Sequence, residues 1–245
     1  YCNSFLSFFP TIAVILNVDA DHLDFFKDLE DVEHSFRAFA DLVPEKTGLI
    51  IANRDDKNTM TTLQGETRPI LTFGLTEGDV HGENLRYEKG LPRFDVVFRG
   101  ERFAHIELQV PGEHNVRDAL AAAAATISLG VPADAVEKGL DGFRGAGRRF
   151  EKKGSRNGAD IYDDYAHHPN EVKALLETAM KLGYKRVICA FQPHTYSRTQ
   201  ALFQEFVEVL KIPDMTLLAE IFAAREDNTL GISSKDLSAQ IPGSE

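Results

Sequence analysis

Ile12-Ala13-Val14-Ile15-Leu16-Asn17-Val18 is a nearly unbroken apolar run of strand length, followed at once by Asp19-Ala20-Asp21-His22-Leu23-Asp24. A run that is apolar at successive positions, rather than at every second one, predicts a strand buried on both faces. The next segment, Asp28–Val43, changes period. Leu29, Val32, Phe36, Phe39 and Val43 recur at helical spacing, and Asp28 is placed as the N-cap. Strand, polar turn and helix in that order predict one β/α unit of a parallel sheet, with polar residues at the strand's carboxyl end.

The pattern repeats outward. Gly48–Asn53 reads as a second buried strand, a polar helix candidate follows, and Ile70–Phe73 reads as a third strand. Val80–Val110 differs, alternating in period two and broken at Lys89-Gly90 and Arg99-Gly100-Glu101, which predicts an antiparallel flank. Asn115–Leu129 is an Ala-rich helix closed by Gly130, and Ala121 to Ala125 leave room for another element to approach closely. Val131–Phe143 carries a further short helix. The basic, Gly-rich Arg144–Arg149 segment marks a domain boundary, dividing residues 1–147 from 148–245.

Beyond it, Phe150–Lys153 and Asp160–Tyr165 read as short strands around a turn at Gly154–Gly158. Pro169 opens a helix that runs to Leu182. Lys185–Phe191, Thr199–Leu210 and Met215–Phe222 then alternate strand, helix and strand, and Ser233 caps a last helix from Ser234 to about Gln240. The second half is therefore expected to be another doubly wound α/β sheet.

The 245 residues are 43% apolar and 27% charged, the balance of a globular protein, and carry a net charge of −11. That acidity excludes unspecific nucleic-acid binding, which needs basic surface to displace counterions. No apolar run approaches the ~20 residues that span a bilayer, so no membrane partner is expected. Cys189 sits in an apolar strand and suggests neither a disulfide framework nor a zinc site, which fits a cytoplasmic protein. The start at Tyr1-Cys2-Asn3-Ser4 and the end at Glu245 read as those of a fragment.

Polar residues gather at four predicted strand or helix ends. Asn17–Asp24 packs three carboxylates and His22 together, either as a divalent-metal site or as an acidic capping loop. Gly112-Glu113-His114-Asn115 opens the Ala-rich helix, where free N–H groups with His and Asn side chains suit a flat heterocycle or a phosphate; Asn115 as a plain cap is the alternative. Asp163-Asp164-Tyr165-Ala166-His167-His168-Pro169 offers more polar chemistry than a cap requires, and neighbours on an extended segment point opposite ways, so one of the two histidines is expected to face a site. Phe191-Gln192-Pro193-His194-Thr195-Tyr196-Ser197-Arg198 ends in a guanidinium fork suited to a carboxylate, or else pairs locally.

Together with Gly145-Ala146-Gly147-Arg148-Arg149-Phe150, these segments resemble the Mur ligases, in the family's order from Asn17 to Arg198. The resemblance implies an ATP- and Mg²⁺-dependent, amide-forming ligase of peptidoglycan precursor synthesis, with UDP-N-acetylmuramate and L-alanine as substrates. Residues 1–147 would be a partial central domain of P-loop type with a mixed sheet. Residues 148–245 would be a truncated, Rossmann-like domain for the amino acid. His22 would be a metal ligand, His114 and Asn115 would hold adenine, Arg148 the nucleotide phosphates and Asp163 the ribose. Tyr165, His168, His194 and Arg198 would line the alanine pocket, with His22, Arg148, His168 and Arg198 as the catalytic set.

Departures accompany the likeness. No G-x-x-G-K-[ST] occurs, so the phosphate loop is expected to precede Tyr1 and the chain alone to be inactive. Asp118 and Thr195 also depart from the family's residues. A ligase acting on a recycled tripeptide or a folylpolyglutamate synthase is the nearest alternative. A metal-dependent hydrolase using Asp19–Asp24 with His167 and His168, or a non-catalytic binding module, comes from further away.

Overall fold

The computed structural model describes residues 3–21 and 25–244, and the chain divides into two units between Arg144 and Gly145. In the first unit β1 (Ile12–Ile15), β2 (Leu49–Asn53), β3 (Ile70–Gly74) and β4 (Val80–Glu88) run parallel, each beside the next. β5 (Leu91–Phe98) and β6 (Glu101–Glu107) continue the same sheet antiparallel. The two hairpins turn at Lys89-Gly90 and Arg99-Gly100, where all four residues have positive φ. That is the backbone whose twist matches a two-residue hairpin.

Successive residues of β2 serve opposite faces. Ile50 and Ala52 join the cluster around α1 (Leu29–Asp41), which buries Val32, Ala40 and Val43. Ile51 joins the cluster around α3 (Glu113–Ser128), where Val116, Ala119, Leu120, Ala123 and Ala124 meet Phe73, Phe94 and Ile106. Ile50 and Ile51 are both fully buried, the reason this strand lacks polar alternation. Asp28 caps α1 by accepting from the Asp31 amide at 3.0 Å. A short α2 (Lys57–Thr62) follows β2, and α4 (Ala133–Gly142) lies along β6.

One expectation is corrected here. Residues 12–18 are not a strand covered on both faces: β1 ends at Ile15, and Val14 and Leu16 are 39% and 44% exposed. Among the described residues β1 is the edge of the sheet, with α1 packing on its Ala13 and Ile15 face, while α3 lies chiefly over β3 and β4. The alanine-rich face of α3 behaves as its sequence suggests, lying close enough to the sheet for Ala121, Ala123 and Ala124 to be buried.

In the second unit β7 (Glu151–Arg156) and β8 (Ala159–Asp163) form a hairpin through Asn157-Gly158, a tighter turn than the sequence suggests. β9 (Ile188–Phe191) and β10 (Met215–Leu218) pair in parallel. α5 (Pro169–Lys181), α7 (Phe203–Val209) and α8 (Ser234–Ser238) cover one face of that pair, burying Val172, Leu176, Phe191, Phe206, Leu210 and Leu237. The expected single helix over Thr199–Leu210 is two, α6 (Tyr196–Ala201) and α7, because Leu202 leaves the helical region at φ −112, ψ 29. The break lets α6 stay tied to the turn before it, through Thr199 Oγ1 donating to the Thr195 carbonyl at 2.6 Å, while α7 turns its apolar face to the core. Burial pushes the Cys189 thiol up to about 11, so it is not a nucleophile near neutral pH.

Candidate functional site

The end of β8 runs into a turn in which the backbone amides from Tyr165 to His168 are engaged. Tyr165 N–H donates to the Arg148 carbonyl at 2.9 Å and Ala166 N–H to Asp164 Oδ1 at 2.7 Å. His167 and His168 N–H both donate to Glu171 Oε2, at 3.0 and 3.3 Å. The other Asp164 oxygen accepts from the Phe150 amide at 2.6 Å, which ties the turn to the Gly145–Phe150 segment. Arg148 lies over the Tyr165 ring at 4.7 Å and Arg149 at 5.8 Å. Arg148 Nε also stands 3.6 Å from Asp163 Oδ2, so the proposed phosphate and ribose residues are brought together.

The two histidines, of which His168 was expected to face the site, point in different directions. His168 is buried and faces α5, where its Nδ1 accepts from the Asn170 amide at 3.3 Å as the helix cap. His167 points the other way. Its ring stands edge-on to Tyr165 at 5.2 Å and to His194 at 6.2 Å. The physical reason is the opposite orientation of neighbours on an extended segment, with the cap position going to the residue just before Pro169.

His194 follows β9 and stacks on Phe222 at 5.5 Å. Arg198 reaches back one helical turn and donates through Nη1 to the His194 carbonyl at 3.0 Å and to its Nδ1 at 3.3 Å. Burial, then the Arg198 and His167 charges, hold the His194 imidazole below its usual value of 6.5, so the ring is neutral at pH 7. Tyr165, His167, His194 and Arg198 thus surround one locality with a phenol, two imidazoles and a guanidinium.

Glu226 completes it and was not foreseen. Its carboxylate accepts from the Ser197 amide at 2.9 Å and from the Ser197 hydroxyl, capping α6 from a distant loop. Burial pushes Glu226 up, but the hydrogen bonds from Ser197 outweigh that and hold it below the usual carboxylate range. Nothing local in the sequence signals this contact. Glu171, also missed, had a signal: it stands three residues after His168, the spacing of a capping box.

In the first unit, Gly112 enters α3 at φ +101, a conformation open to glycine, and leads His114 and Asn115 onto the first turn. Asn115 Nδ2 donates to the Pro111 carbonyl at 2.7 Å and lies 3.2 Å from His114 Nε2. The pair therefore sits at a helix N-terminus, with donor and acceptor groups of the kind a flat, nitrogen-rich ring needs. Arg117 binds Glu113 at 2.7 Å, steadying that turn, and Asp118 is exposed.

The acidic loop is held from β2 and α2. Asn53 Nδ2 donates to the Leu16 carbonyl at 2.8 Å, Asp56 Oδ1 accepts from the Val18 amide at 3.1 Å, and Asn58 Nδ2 donates to the Val18 carbonyl at 2.9 Å. His22, the expected metal ligand, lies outside the described residues, as does Asp24. Among the described residues no three His, Cys, Asp or Glu side chains converge as a metal site.

The Mur ligase middle-domain family matches residues 4–126, and the Mur ligase glutamate ligase domain matches residues 148–245. The chain belongs to the Mur ligase family. It is 46% identical, over 98% of its length, to the UDP-N-acetylmuramate–L-alanine ligase of Clostridium novyi, and 47% identical over 97% to that of Caldanaerobacter subterraneus. It covers 52% of each, so the chain spans about half the length of the curated relatives it matches. Among solved structures, the UDP-N-acetylmuramate-alanine ligase of Thermotoga maritima superposes with a TM-score of 0.73 at 28% identity, over 90% of this chain and 48% of that one. MurF of Acinetobacter baumannii gives 0.80 at 19% identity over 97% of this chain and 50% of its own, a likeness of fold alone. The two units of this Mur ligase chain thus correspond to the family's middle and following domains.

Proposed function

We propose that this Mur ligase chain carries the nucleotide-binding and amino-acid-binding parts of an enzyme that joins L-alanine to UDP-N-acetylmuramate with ATP. What carries the reading is the gathering of Tyr165, His167, His194 and Arg198, in a chain 46% identical nearly end to end to a ligase of that name.

In this reading the α-carboxylate of alanine docks on the Arg198 fork, which offers paired N–H groups of matching geometry. A neutral His194 beside it adds a hydrogen-bonding group without drawing the carboxylate off the fork. Tyr165 and His167 close the pocket around a small side chain, which leaves the amine directed outward. The muramoyl carboxylate takes the γ-phosphoryl group of ATP, releasing ADP. The alanine amine then attacks that acyl carbon, phosphate leaves, and the amine gives up its proton as the amide forms. Positioning and electrostatics suffice for both steps, so no protein nucleophile is required.

For ATP the donor set of the first unit fits, since His114 and Asn115 can hold the adenine edge at the start of α3. Within the second unit, Arg148 and Asp163 are already paired, a cation and an acid of the kind that bind a phosphate and a ribose hydroxyl. The described residues present no cluster of three metal-ligating side chains. Substrates linked to nucleotides place the reaction in the cytoplasm.

The test is ADP release by the full reading frame with UDP-N-acetylmuramate and a panel of L-alanine, glycine, L-serine and a tripeptide. Turnover that depends on L-alanine is the expected result. Turnover with the tripeptide alone would move the chain to a recycling ligase, and none with any acceptor would overturn the ligase reading.

A further inference from the structure

His168 has an unusual place for a histidine. The residue is more than nine-tenths buried, its Nδ1 accepts a backbone N–H, and its Nε2 is sealed from solvent with no hydrogen-bond partner among the described residues. An imidazole that accepts at Nδ1 is neutral and carries its proton on Nε2, so a buried N–H is left unmatched. A side-chain oxygen, as in serine, aspartate or asparagine, would serve the α5 cap as well, so the cap alone does not require an imidazole.

The cap lies directly behind the turn that presents the pocket. Glu171 closes the reciprocal half of the capping box through the His167 and His168 amides, and Pro169 fixes the first helical position. On the pocket side, His167 Nδ1 lies 3.0 Å from the Tyr165 carbonyl and 3.5 Å from Glu171 Oε2. The same Glu171 pairs with Arg149 at 3.7 Å, one of the two guanidinium groups lying over Tyr165. Moving the cap moves Glu171, and with it the His167 ring and the Arg149–Tyr165 contact.

We infer that His168 is a positioning residue of the amino-acid pocket, acting through the α5 cap and Glu171 to fix His167 and Tyr165, and not by touching substrate. The inference rests on the alanine-site reading for its kinetic consequence, though the lock itself is a property of this chain alone.

Two readouts separate them. In the full-length enzyme, His168→Ala raises KM for L-alanine about five- to tenfold, the scale of one lost helix cap, while KM for ATP stays within about twofold. His168→Asn restores KM for L-alanine, because its side-chain oxygen can accept from the Asn170 amide. In parallel, amide hydrogen exchange over residues 164–172 accelerates in the alanine variant and returns to the parental rate in the asparagine variant. Equal exchange in all three proteins, or an asparagine variant as impaired as the alanine one, would overturn the inference. If the alanine variant does not fold, the asparagine variant decides: parental exchange and KM support the lock, faster exchange sinks it. Absence of L-alanine turnover in the parent with the exchange pattern intact would instead remove the alanine reading and leave the lock standing.

Discussion

The Arg198 guanidinium donates to both the carbonyl and the Nδ1 of His194, at 3.0 and 3.3 Å, and so fixes that ring as a neutral imidazole with its proton on Nε2. The direction of the His194 shift agrees with this, since burial and the neighbouring cation both disfavour a charged ring. A carboxylate arriving here meets one strong fixed charge, flanked by dipoles whose orientation that same charge has set. Glu226 holds the helix from which Arg198 projects, at Ser197.

Replacing Arg198 by lysine tests the fork. Lysine keeps the charge but cannot donate two parallel N–H bonds or reach His194 in the same way. In the full-length enzyme the expected result is a rise in KM for L-alanine of about tenfold or more, the scale of one charge-assisted hydrogen bond at roughly 1.5–3 kcal/mol. Thermal stability should change little. An unchanged KM would place the amino acid elsewhere.

The neutral His194 has a consequence for stability. Its folded value lies below the unfolded 6.5, so the unfolded chain binds more protons at mildly acid pH and stability falls as pH drops below 6.5 toward the folded value. Below the folded value the loss is complete and the dependence flattens. His194→Asn should remove this component. The gap between the urea midpoints of the two proteins should stay constant above 6.5 and shift against the parent as pH falls below it. Parallel curves across that window would show that His194 is not held neutral.

Much of the fold could be read locally. Asp28 caps α1, Pro169 opens α5, and Lys89-Gly90 and Arg99-Gly100 turn the hairpins, because each depends on a few adjacent residues. The exposure of Val14 could not be read, since it depends on which strand ends at the sheet's edge. Within the candidate site, Tyr165, His194 and Arg198 were legible as polar residues at strand ends. Which of His167 and His168 caps α5 depends on the local backbone, and Glu226 reaches Ser197 from 29 residues away. Contacts of that kind leave no periodic or local trace.

The β6 edge gives a test of packing. Its outward amides at His105 and Glu107 each donate at 2.7 Å, to Glu137 and Asp141 of α4, one helical turn apart. Carboxylates here satisfy an edge that would otherwise offer unpaired N–H groups to another chain. Glu137→Ala and Asp141→Ala should each cost about 1–2 kcal/mol, the lower part of the range for hydrogen bonds to charged acceptors, because both sites are half-exposed. The double variant should also self-associate on size-exclusion chromatography. A double variant that stays monomeric and keeps its urea midpoint would show that α4 covers the edge by packing alone.

Glu66 offers the sharpest acid-side prediction. Its side chain is fully buried, with Oε1 accepting from the Thr67 amide at 2.7 Å, the Arg68 amide at 2.9 Å and Arg68 Nη1 at 2.9 Å. Among the described residues Oε2 accepts no hydrogen bond, and Arg37 Nη2 stands 3.4 Å from it. Arg68 also donates to the Val43 and Asp41 carbonyls, so this carboxylate joins the end of α1 to the entry of β3. Burial raises the Glu66 pKa, but the Arg68 and Thr67 hydrogen bonds outweigh it and leave the group below its usual 4.5. A folded value below the unfolded one contributes stability that is present above 4.5 and lost as pH falls through the folded value. Arg68 keeps Asp41 at 3.1 Å as a second acidic partner, so Glu66→Ala should destabilise by about 1.5–3 kcal/mol at neutral pH, the scale of hydrogen bonds to a charged group. Glu66→Gln keeps the shape and one acceptor and should lose less, and the gap between it and the parent should close below 4.5 as the parent protonates. Urea midpoints that keep a constant gap through that range would mean that the Glu66 charge is not what ties α1 to β3.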